Sequence, residues 1–168
     1  GLYVNGSSGE CIYQSVEDRK KVLEHVMKVV GGKLTIIAHV ACNNTKDSVE
    51  LAAHAEKLGV DAIAAIPPIY FHLPDHAIAK YWNDISAAAP HTDFVIYNIP
   101  QLAGVALSPS LFRKMRENPN VIEVIEIACD ECPVGGYEVT NACRGCLAHR
   151  CEDVCRRGAI SFDAQHVA

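Results

Sequence analysis

The sequence predicts an α/β fold in which a parallel sheet is flanked by helices. Five apolar, strand-like runs alternate with four helical patterns between residues 1 and 127. The runs are uniformly apolar rather than alternating, which is typical of parallel strands buried on both faces. A strand and the helix after it together span roughly 25–35 residues, a usual size for a repeated β/α unit. We therefore expect five parallel strands with the helices packed outside them.

The first elements are bounded by residues that begin and end helices. Ser15 and Asn44 precede helical patterns and can cap their first turns, and Gly31 and Gly59 follow the last turns. Turn-forming residues over 5–9 end the first strand. The elements predicted here are a strand over 1–4, a helix over 15–30, a strand over 34–40 and a helix over 44–58.

The later elements are bounded mainly by prolines. Pro67 and Pro68 close the third strand, Pro74 begins a helix, and Pro100 ends the fourth strand. Ser108 then caps the last helix of this part. The elements predicted here are a strand over 60–66, a helix over 74–88, a strand over 94–99, a helix over 108–116 and a strand over 121–127.

Polar and aromatic residues lie at the carboxyl ends of the predicted strands, which is where the active sites of parallel α/β folds lie. They are the turn over 6–10, His39, Tyr70 and Tyr97. The pattern fits either a (β/α)8 barrel or an open doubly wound sheet. No Gly-x-Gly-x-x-Gly turn follows a strand, which weakens the nucleotide-binding option. His39 stands inside an apolar run, which favours a satisfied core residue over a ligand.

The charge and hydropathy of the chain argue against several functions. The formal net charge is −5 and the sequence pI is about 5.9, so we expect no basic face for nucleic acid or an anionic membrane. No apolar run reaches the ~18 residues of a membrane span, and no signal peptide opens the sequence. We expect a cytoplasmic protein that binds neither nucleic acid nor membrane.

Two motifs carry a resemblance to a known family. The run over 1–10 resembles the Gly-x-Ser/Thr-Thr-Gly-Glu motif of the dihydrodipicolinate synthase and N-acetylneuraminate lyase superfamily. The run over 97–105 resembles the Tyr-Asn-Ile-Pro-x-Leu-x-Gly-Val segment of its lyase branch. The similarity covers about residues 1–124, and the chain's 168 residues are fewer than the ~250 of a complete barrel. The resemblance therefore implies a partial (β/α)8 TIM barrel over 1–124, about strands two to six.

The resemblance also implies a lyase of the class I aldolase type. Such enzymes form a Schiff base between a lysine and a keto acid, and the lyase branch cleaves N-acetylneuraminate to pyruvate and N-acetylmannosamine without a cofactor. The matching residues here are Tyr97 for proton transfer, and Ser7 and Ser8 for the substrate carboxylate. Tyr70 matches a residue that supports the site or reaches a neighbouring subunit. The expected substrate is a small keto acid or sialic acid.

One position departs from the family in a way that affects the mechanism. The family's lysine ends a segment like Asn-Val-Ile-Gly-Val-Lys, and the matching segment over 120–125 ends in Ile125. No lysine follows Lys114 in the chain. Because isoleucine has no amine, we expect this chain to be inactive as a Schiff-base lyase.

A cysteine-rich segment over 125–168 is the second predicted domain. Its C-x2-C-x4-C-x3-C spacing suits an iron–sulfur cluster, with zinc as the runner-up and a disulfide framework less favoured. The segment resembles bacterial-type 4Fe–4S ferredoxins, as in proteins related to iron-only hydrogenases, although Arg156 stands where those carry Pro. The predicted ligands are Cys143, Cys146, Cys151 and Cys155, with Cys129 and Cys132 as further candidates.

The two partial halves leave three hypotheses for function. The first is an aldolase-type lyase, which the motifs of 1–124 favour and Ile125 opposes. The second is a 4Fe–4S electron-transfer module. The third is a pair of fused fragments with no activity. A five-stranded sheet with open edges also predicts a homo-oligomer, or aggregation, through those edges.

Overall fold

A computed structural model of the chain describes residues 1–126. This part contains one five-stranded sheet with strand order β1–β2–β3–β4–β5, and every neighbouring pair is parallel. The prediction of five parallel strands is therefore confirmed. The strands are β1 (Leu2–Val4), β2 (Ile36–His39), β3 (Ala62–Ala65), β4 (Asp93–Asn98) and β5 (Val121–Glu126).

The helices begin where the sequence predicts them. The side chains of Ser15, Asn44 and Ser108 each accept a hydrogen bond from the main-chain N–H three residues later, at 2.8–3.1 Å. The short helix α4 and two 3-10 turns, Ser7–Gly9 and Cys11–Tyr13, were missed because elements this short carry no periodic signal. The helices are α1 (Val16–Val30), α2 (Thr45–Leu58), α3 (Asp75–Ala87), α4 (Pro100–Ala103) and α5 (Pro109–Met115).

The strand order decides between the two topologies that the sequence left open. A doubly wound sheet reverses its strand order at a switch point and carries helices on both faces. Over residues 1–126 the order never reverses, and helical residues contribute to only one of the two apolar clusters. The doubly wound alternative is therefore wrong for this part of the chain. The arrangement is that of consecutive β/α units in a barrel wall.

The helices pack on one face of the sheet and form the main core. Alternate strand residues face them, and large side chains such as Trp82 and Phe94 are buried there. The opposite face carries a smaller cluster of Ala62, Ala64 and Val95. Because these side chains are small, larger residues of neighbouring strands can approach one another above them. None of the helices in the described part is both long and apolar enough to cross a membrane.

A buried arginine ties the ends of β1 and β2 to α1. Arg19 is only 2% exposed, and its guanidinium donates to the carbonyl oxygens of His39 (2.6 Å) and Ala41 (2.9 Å). The Asn5 side chain donates to the Arg19 carbonyl (2.9 Å), and the His39 ring donates to the Asn5 carbonyl (3.0 Å). We call this closed set of hydrogen bonds the Asn5–Arg19–His39 ring. These hydrogen bonds fix the positions of the carboxyl ends of β1 and β2.

The substitution Arg19→Met tests the contribution of this ring. Methionine fills part of the same space but has no N–H groups. The buried carbonyls of His39 and Ala41 therefore lose the hydrogen bonds that the guanidinium donates. We expect the free energy of unfolding, measured by urea denaturation, to fall by about 2–4 kcal/mol. The control Arg113→Met, at an exposed position of α5, should change it by less than about 0.5 kcal/mol. Equal effects of the two substitutions would contradict the structural role of Arg19.

Candidate active site

Aromatic side chains meet at the carboxyl ends of β1, β2 and β4. The Tyr3 ring contacts the Tyr97 ring edge-on, with 5.6 Å between centroids, and its centroid lies 6.0 Å from that of His39. These side chains lie on the sheet face opposite the helices. The structure thus gathers Tyr97 and His39, which the sequence singled out, around Tyr3, which it did not.

The turn after β1 lies against the Tyr3 ring. A Cβ added to Gly6 would stand 2.6 Å from a carbon of that ring, so a side chain at this position would force the two apart. Asn5, just before it, has a left-handed backbone with φ 58°, which asparagine tolerates better than most residues. Ser7 and Ser8 follow directly after this glycine in the chain.

Ser7 and Ser8 carry hydrogen-bond donors that the described part of the chain does not use. Neither their hydroxyls nor their main-chain N–H groups donate to any residue within 1–126. By contrast, the N–H groups of Gly9 and Glu10 bond within the turn, each at 3.0 Å. Adjacent unused N–H and O–H groups in one turn are suited to an anion such as a carboxylate.

Ile125 lies directly beside Tyr97 in the sheet. The β4–β5 register pairs these two residues, so both side chains project from the same face. The register shifts between the pairs Phe94–Val121 and Val95–Glu123, which leaves Ile122 of β5 without a paired residue and sets this pairing. Ile125 is half-buried and packs against the small cluster on that face. Position 125 therefore offers an aliphatic side chain, and no amine, next to Tyr97.

Burial keeps the titratable side chains of this group neutral. It raises the pKa of Tyr3 well above the ordinary value, with the nearby Tyr97 adding to the effect, and it also raises the pKa of Tyr97. Burial and, to a smaller extent, the positive charge of Arg19 together lower the pKa of His39 to about 3. The site at pH 7 thus presents neutral phenols, which can donate a proton, beside a neutral imidazole.

Two polar atoms of the group are buried and lack a hydrogen-bond partner in the described residues. They are the Tyr3 hydroxyl and Nε2 of His39. Nδ1 of His39 donates to the Asn5 carbonyl, so Nε2 carries the lone pair. The prediction that His39 is a core residue is confirmed, but only one of its two ring nitrogens is satisfied. Unpartnered buried polar atoms are rare in folded proteins and call for a structural or functional explanation.

Tyr70 lies apart from this group. It is 85% exposed in the loop after β3, where its ring packs edge-on against Phe71 at 4.8 Å. Its backbone has φ 83°, an uncommon conformation for a bulky residue. The structure therefore does not bring Tyr70 together with Tyr97, and the role that the resemblance implies for Tyr70 stays a prediction.

Sequence analysis missed Tyr3, Asn5 and Arg19. The two-residue period of a strand could have placed Tyr3 on the face opposite its neighbours. Arg19 falls between Val16 and Leu23 on the apolar side of α1, and a charged residue at such a position signals a buried, hydrogen-bonded group. For Asn5, the sequence indicated only that the residue lies in a turn.

Comparison with known proteins identifies the family. Residues 1–132 match the model of the dihydrodipicolinate synthetase family. The chain belongs to this family. An N-acetylneuraminate lyase of Mediterraneibacter gnavus is 83% identical over 124 residues, which are 74% of this chain and 39% of that protein.

Solved structures of the family show the same fold. A catalytic lysine mutant of the Ruminococcus gnavus sialic acid aldolase is 78% identical, with a TM-score of 0.75 over 80% of this chain and 43% of that one. CdNal from Clostridium difficile, in complex with mannosamine, is 37% identical, with a TM-score of 0.71 over 74% of this chain and 42% of that one. The chain thus spans less than half the length of these relatives, and the superfamily and α/β fold predicted from the motifs are confirmed.

The predicted metal ligands lie outside the residues that the structure describes. Within residues 1–126, Cys11 and Cys42 are free thiols, and no group of three or more His, Cys, Asp or Glu is placed to hold a metal ion. The cluster prediction and the boundary after residue 124 therefore stay predictions. The cysteines that lie outside the described residues are Cys129, Cys132, Cys143, Cys146, Cys151 and Cys155.

The neutral, buried His39 should make stability depend on pH. Its pKa is about 3 in the folded protein against 6.5 ordinarily, so below pH 6.5 the unfolded chain binds a proton that the folded chain does not. Stability therefore falls as the pH drops. Between pH 7 and pH 5, we expect the unmodified chain to lose about 2 kcal/mol more than His39→Gln, measured by urea denaturation.

The matched control is His25→Gln, at an exposed position of α1. This variant should lose as much stability over the same pH range as the unmodified chain. A pH dependence unchanged by His39→Gln would show that His39 is protonated in the folded protein, contrary to its burial.

Proposed function

We propose that residues 1–126 form the keto-acid-binding part of an N-acetylneuraminate lyase-type site that lacks its Schiff-base amine. The observation that supports this proposal is the pairing of Tyr97 with Ile125, because Ile125 is the residue that matches the family's lysine in the segment over 120–125. A relative of 83% identity is an N-acetylneuraminate lyase, and a solved relative is a catalytic lysine mutant of a sialic acid aldolase. The ligand class is an α-keto acid, from pyruvate to sialic acid.

The turn of Ser7 and Ser8 supports binding of the substrate carboxylate. Its two hydroxyls and two main-chain N–H groups have no acceptor among the described residues. Donors grouped in this way stabilise a negative charge. Binding through them needs no amine, so it should survive the presence of Ile125.

Tyr97 is the residue that we assign to proton transfer. Its phenol is protonated at pH 7 and can donate, and burial raises the pKa of this group above its ordinary value. The edge contact with Tyr3 orients the ring, and Tyr3 in turn rests against Gly6. In the cleavage that the resemblance implies, this phenol moves a proton between the sugar hydroxyl and the bound carboxylate.

Ile125 blocks cleavage by the family's route. Breaking the carbon–carbon bond requires an electron sink, which a class I aldolase makes when a lysine amine condenses with the keto group and water leaves. Isoleucine cannot form this iminium, and none of the lysines within 1–126 lies on a strand. We therefore propose that this chain binds the keto acid without cleaving it.

Restoring the amine tests this proposal. The unmodified chain, incubated with pyruvate and borohydride, should give no covalent adduct, whereas Ile125→Lys should be trapped, because borohydride reduces an iminium to a stable amine. Trapping should be slow, since position 125 is only half-buried and a lysine there keeps a pKa near the ordinary ~10.4. Peptide mass spectrometry locates the adduct.

Ile122→Lys is the matched control for this experiment. It adds the same amine to the same strand, at an exposed position that is not paired with Tyr97. Adding Ser7→Ala and Ser8→Ala to Ile125→Lys should slow trapping by about tenfold, because the carboxylate loses two donors. Equal trapping at positions 122 and 125, or cleavage of N-acetylneuraminate by the unmodified chain, would overturn the proposal.

A second candidate function rests on the cysteines of the segment over 125–168. We propose that four of them hold a 4Fe–4S cluster for electron transfer, because their short spacing supplies soft thiolate ligands in the pattern of bacterial-type ferredoxins. The cytoplasm, the predicted location, keeps such thiols reduced. The ligands in this proposal are Cys143, Cys146, Cys151 and Cys155, with Cys129 and Cys132 as alternatives.

Anaerobic reconstitution with iron and sulfide tests the cluster. The full chain should become brown, with a broad visible absorption that bleaches on reduction. Cys143→Ala and Cys146→Ala should each abolish the colour, because each removes a thiolate ligand. Cys11→Ala, which changes a cysteine outside the motif, should leave it unchanged. A colourless protein that holds one zinc ion per chain would instead support the zinc site.

A further inference from the structure

The side chain of Tyr3 touches both functional parts of the candidate site. The resemblance assigns roles to the two serines after Gly6 and to Tyr97, but none to Tyr3. The Tyr3 ring contacts the Tyr97 ring, with centroids 5.6 Å apart and an angle of 74° between the ring planes, and it also lies against Gly6. One side chain thus meets the turn that we assign to the carboxylate and the phenol that we assign to proton transfer.

The close contact with Tyr3 explains why position 6 is a glycine. Gly6 has φ −77°, a backbone conformation that other residues adopt freely, so its backbone does not require glycine. A Cβ at this position would, however, stand 2.6 and 2.7 Å from two carbons of the Tyr3 ring, which is closer than van der Waals contact. The Tyr3 ring therefore keeps its place only while position 6 has no side chain.

The other neighbours of the ring determine where a displaced ring goes. His39 lies beside it, with centroids 6.0 Å apart, and is only 2% exposed. The Nδ1–H of His39 donates to the Asn5 carbonyl at 3.0 Å, and the His39 carbonyl accepts from Arg19 at 2.6 Å. Tyr97 is only half-buried, so its side chain is freer to move. A shift of the Tyr3 ring therefore displaces Tyr97 rather than His39.

Packing, and not the hydroxyl, holds the Tyr3 ring. The hydroxyl is buried and has no hydrogen-bond partner among residues 1–126. Burial, with a smaller contribution from Tyr97, raises the pKa of this phenol well above its ordinary value, so the ring is neutral at pH 7. Phenylalanine has the same ring and can replace Tyr3, whereas an aliphatic side chain cannot make the edge contact with Tyr97.

We propose that Tyr3 is a positioning residue, whose ring sets the place of the turn of Ser7 and Ser8 relative to the Tyr97 phenol. Its consequence for binding rests on the proposed function, in which the turn and the phenol act on one keto acid. When the ring shifts, the carboxylate donors and the phenol no longer match the same ligand. Small misplacements of this kind lower affinity and rate steeply.

The first test needs no ligand and uses NMR spectra of the full chain. Gly6→Ala should shift the ring signals of Tyr97, because the new methyl group displaces the Tyr3 ring. The shift should persist in a Tyr3→Phe background, which keeps the ring. It should vanish in a Tyr3→Val background, which suits a strand but lacks the ring carbons that meet position 6.

Tyr97 signals that Gly6→Ala leaves unmoved would overturn the proposal, and so would equal shifts with and without the ring at position 3. Circular dichroism checks that each variant is folded. If Tyr3→Val is unfolded, Gly6→Ala in the unmodified chain and in the Tyr3→Phe chain still decides the matter.

The second test measures binding by borohydride trapping of pyruvate in the Ile125→Lys chain. Adding Tyr3→Val should raise the pyruvate concentration for half-maximal trapping by about tenfold, and adding Tyr3→Phe should change it by less than about twofold. An effect of Tyr3→Phe as large as that of Tyr3→Val would assign the role to the hydroxyl and overturn the proposal. An unchanged concentration in Tyr3→Val would also overturn it.

Two control variants separate positioning from a general loss of stability. Phe94→Leu removes a buried ring from the main core, on the opposite face of β4 from Tyr97, so it should destabilise the fold but leave trapping unchanged. Tyr13→Val changes a tyrosine that is 84% exposed and should alter neither property. If the Ile125→Lys chain itself is not trapped, the proposed function fails, while the NMR test still decides the role of Tyr3.

Discussion

A buried guanidinium sets the geometry on which the candidate site depends. The Arg19 guanidinium donates a hydrogen bond to the His39 carbonyl, and the Arg19 carbonyl accepts one from the side-chain amide of Asn5. The strands β1 and β2 and the helix α1 therefore cannot shift independently. A charge this deeply buried requires hydrogen-bond acceptors, and here the carbonyl oxygens of His39 and Ala41 and the Cys42 sulfur accept from the two terminal nitrogens of the guanidinium. The turn with Ser7 and Ser8 begins directly after Asn5. Its position relative to Tyr97 is therefore a consequence of the ring that Arg19 closes.

Local signals in the sequence predicted the elements of this fold, whereas its tertiary contacts needed the structure. The caps at Ser15 and Asn44 act within one turn of the chain, so their residue types were enough to place α1 and α2. The contact of Tyr3 with Tyr97 depends on how strands far apart in sequence align, which no short-range pattern encodes. Tyr97, like Ser7 and Ser8, was found through family motifs, and those motifs did not reveal that Tyr3 joins them.

Position 125 shows how packing and chemistry make different demands on one residue. Its neighbours on the sheet face are aliphatic, so the isoleucine gains stability there by burying apolar surface. A lysine at the same place gives up part of this apolar burial, and because the position is only half-buried, its amine keeps a pKa near the ordinary ~10.4. Ile125 therefore stabilises the sheet and removes the nucleophile with a single side chain.

Tyr3 links the turn of Ser7 and Ser8 to Tyr97. Its ring contacts the Tyr97 ring edge-on and lies against Gly6, so the turn and the phenol assigned to proton transfer share one neighbour. Burial raises the pKa of Tyr3, so the ring stays neutral and packs between them as a largely apolar group. A shift of the Tyr3 ring would therefore change the position of the turn and that of the Tyr97 phenol together.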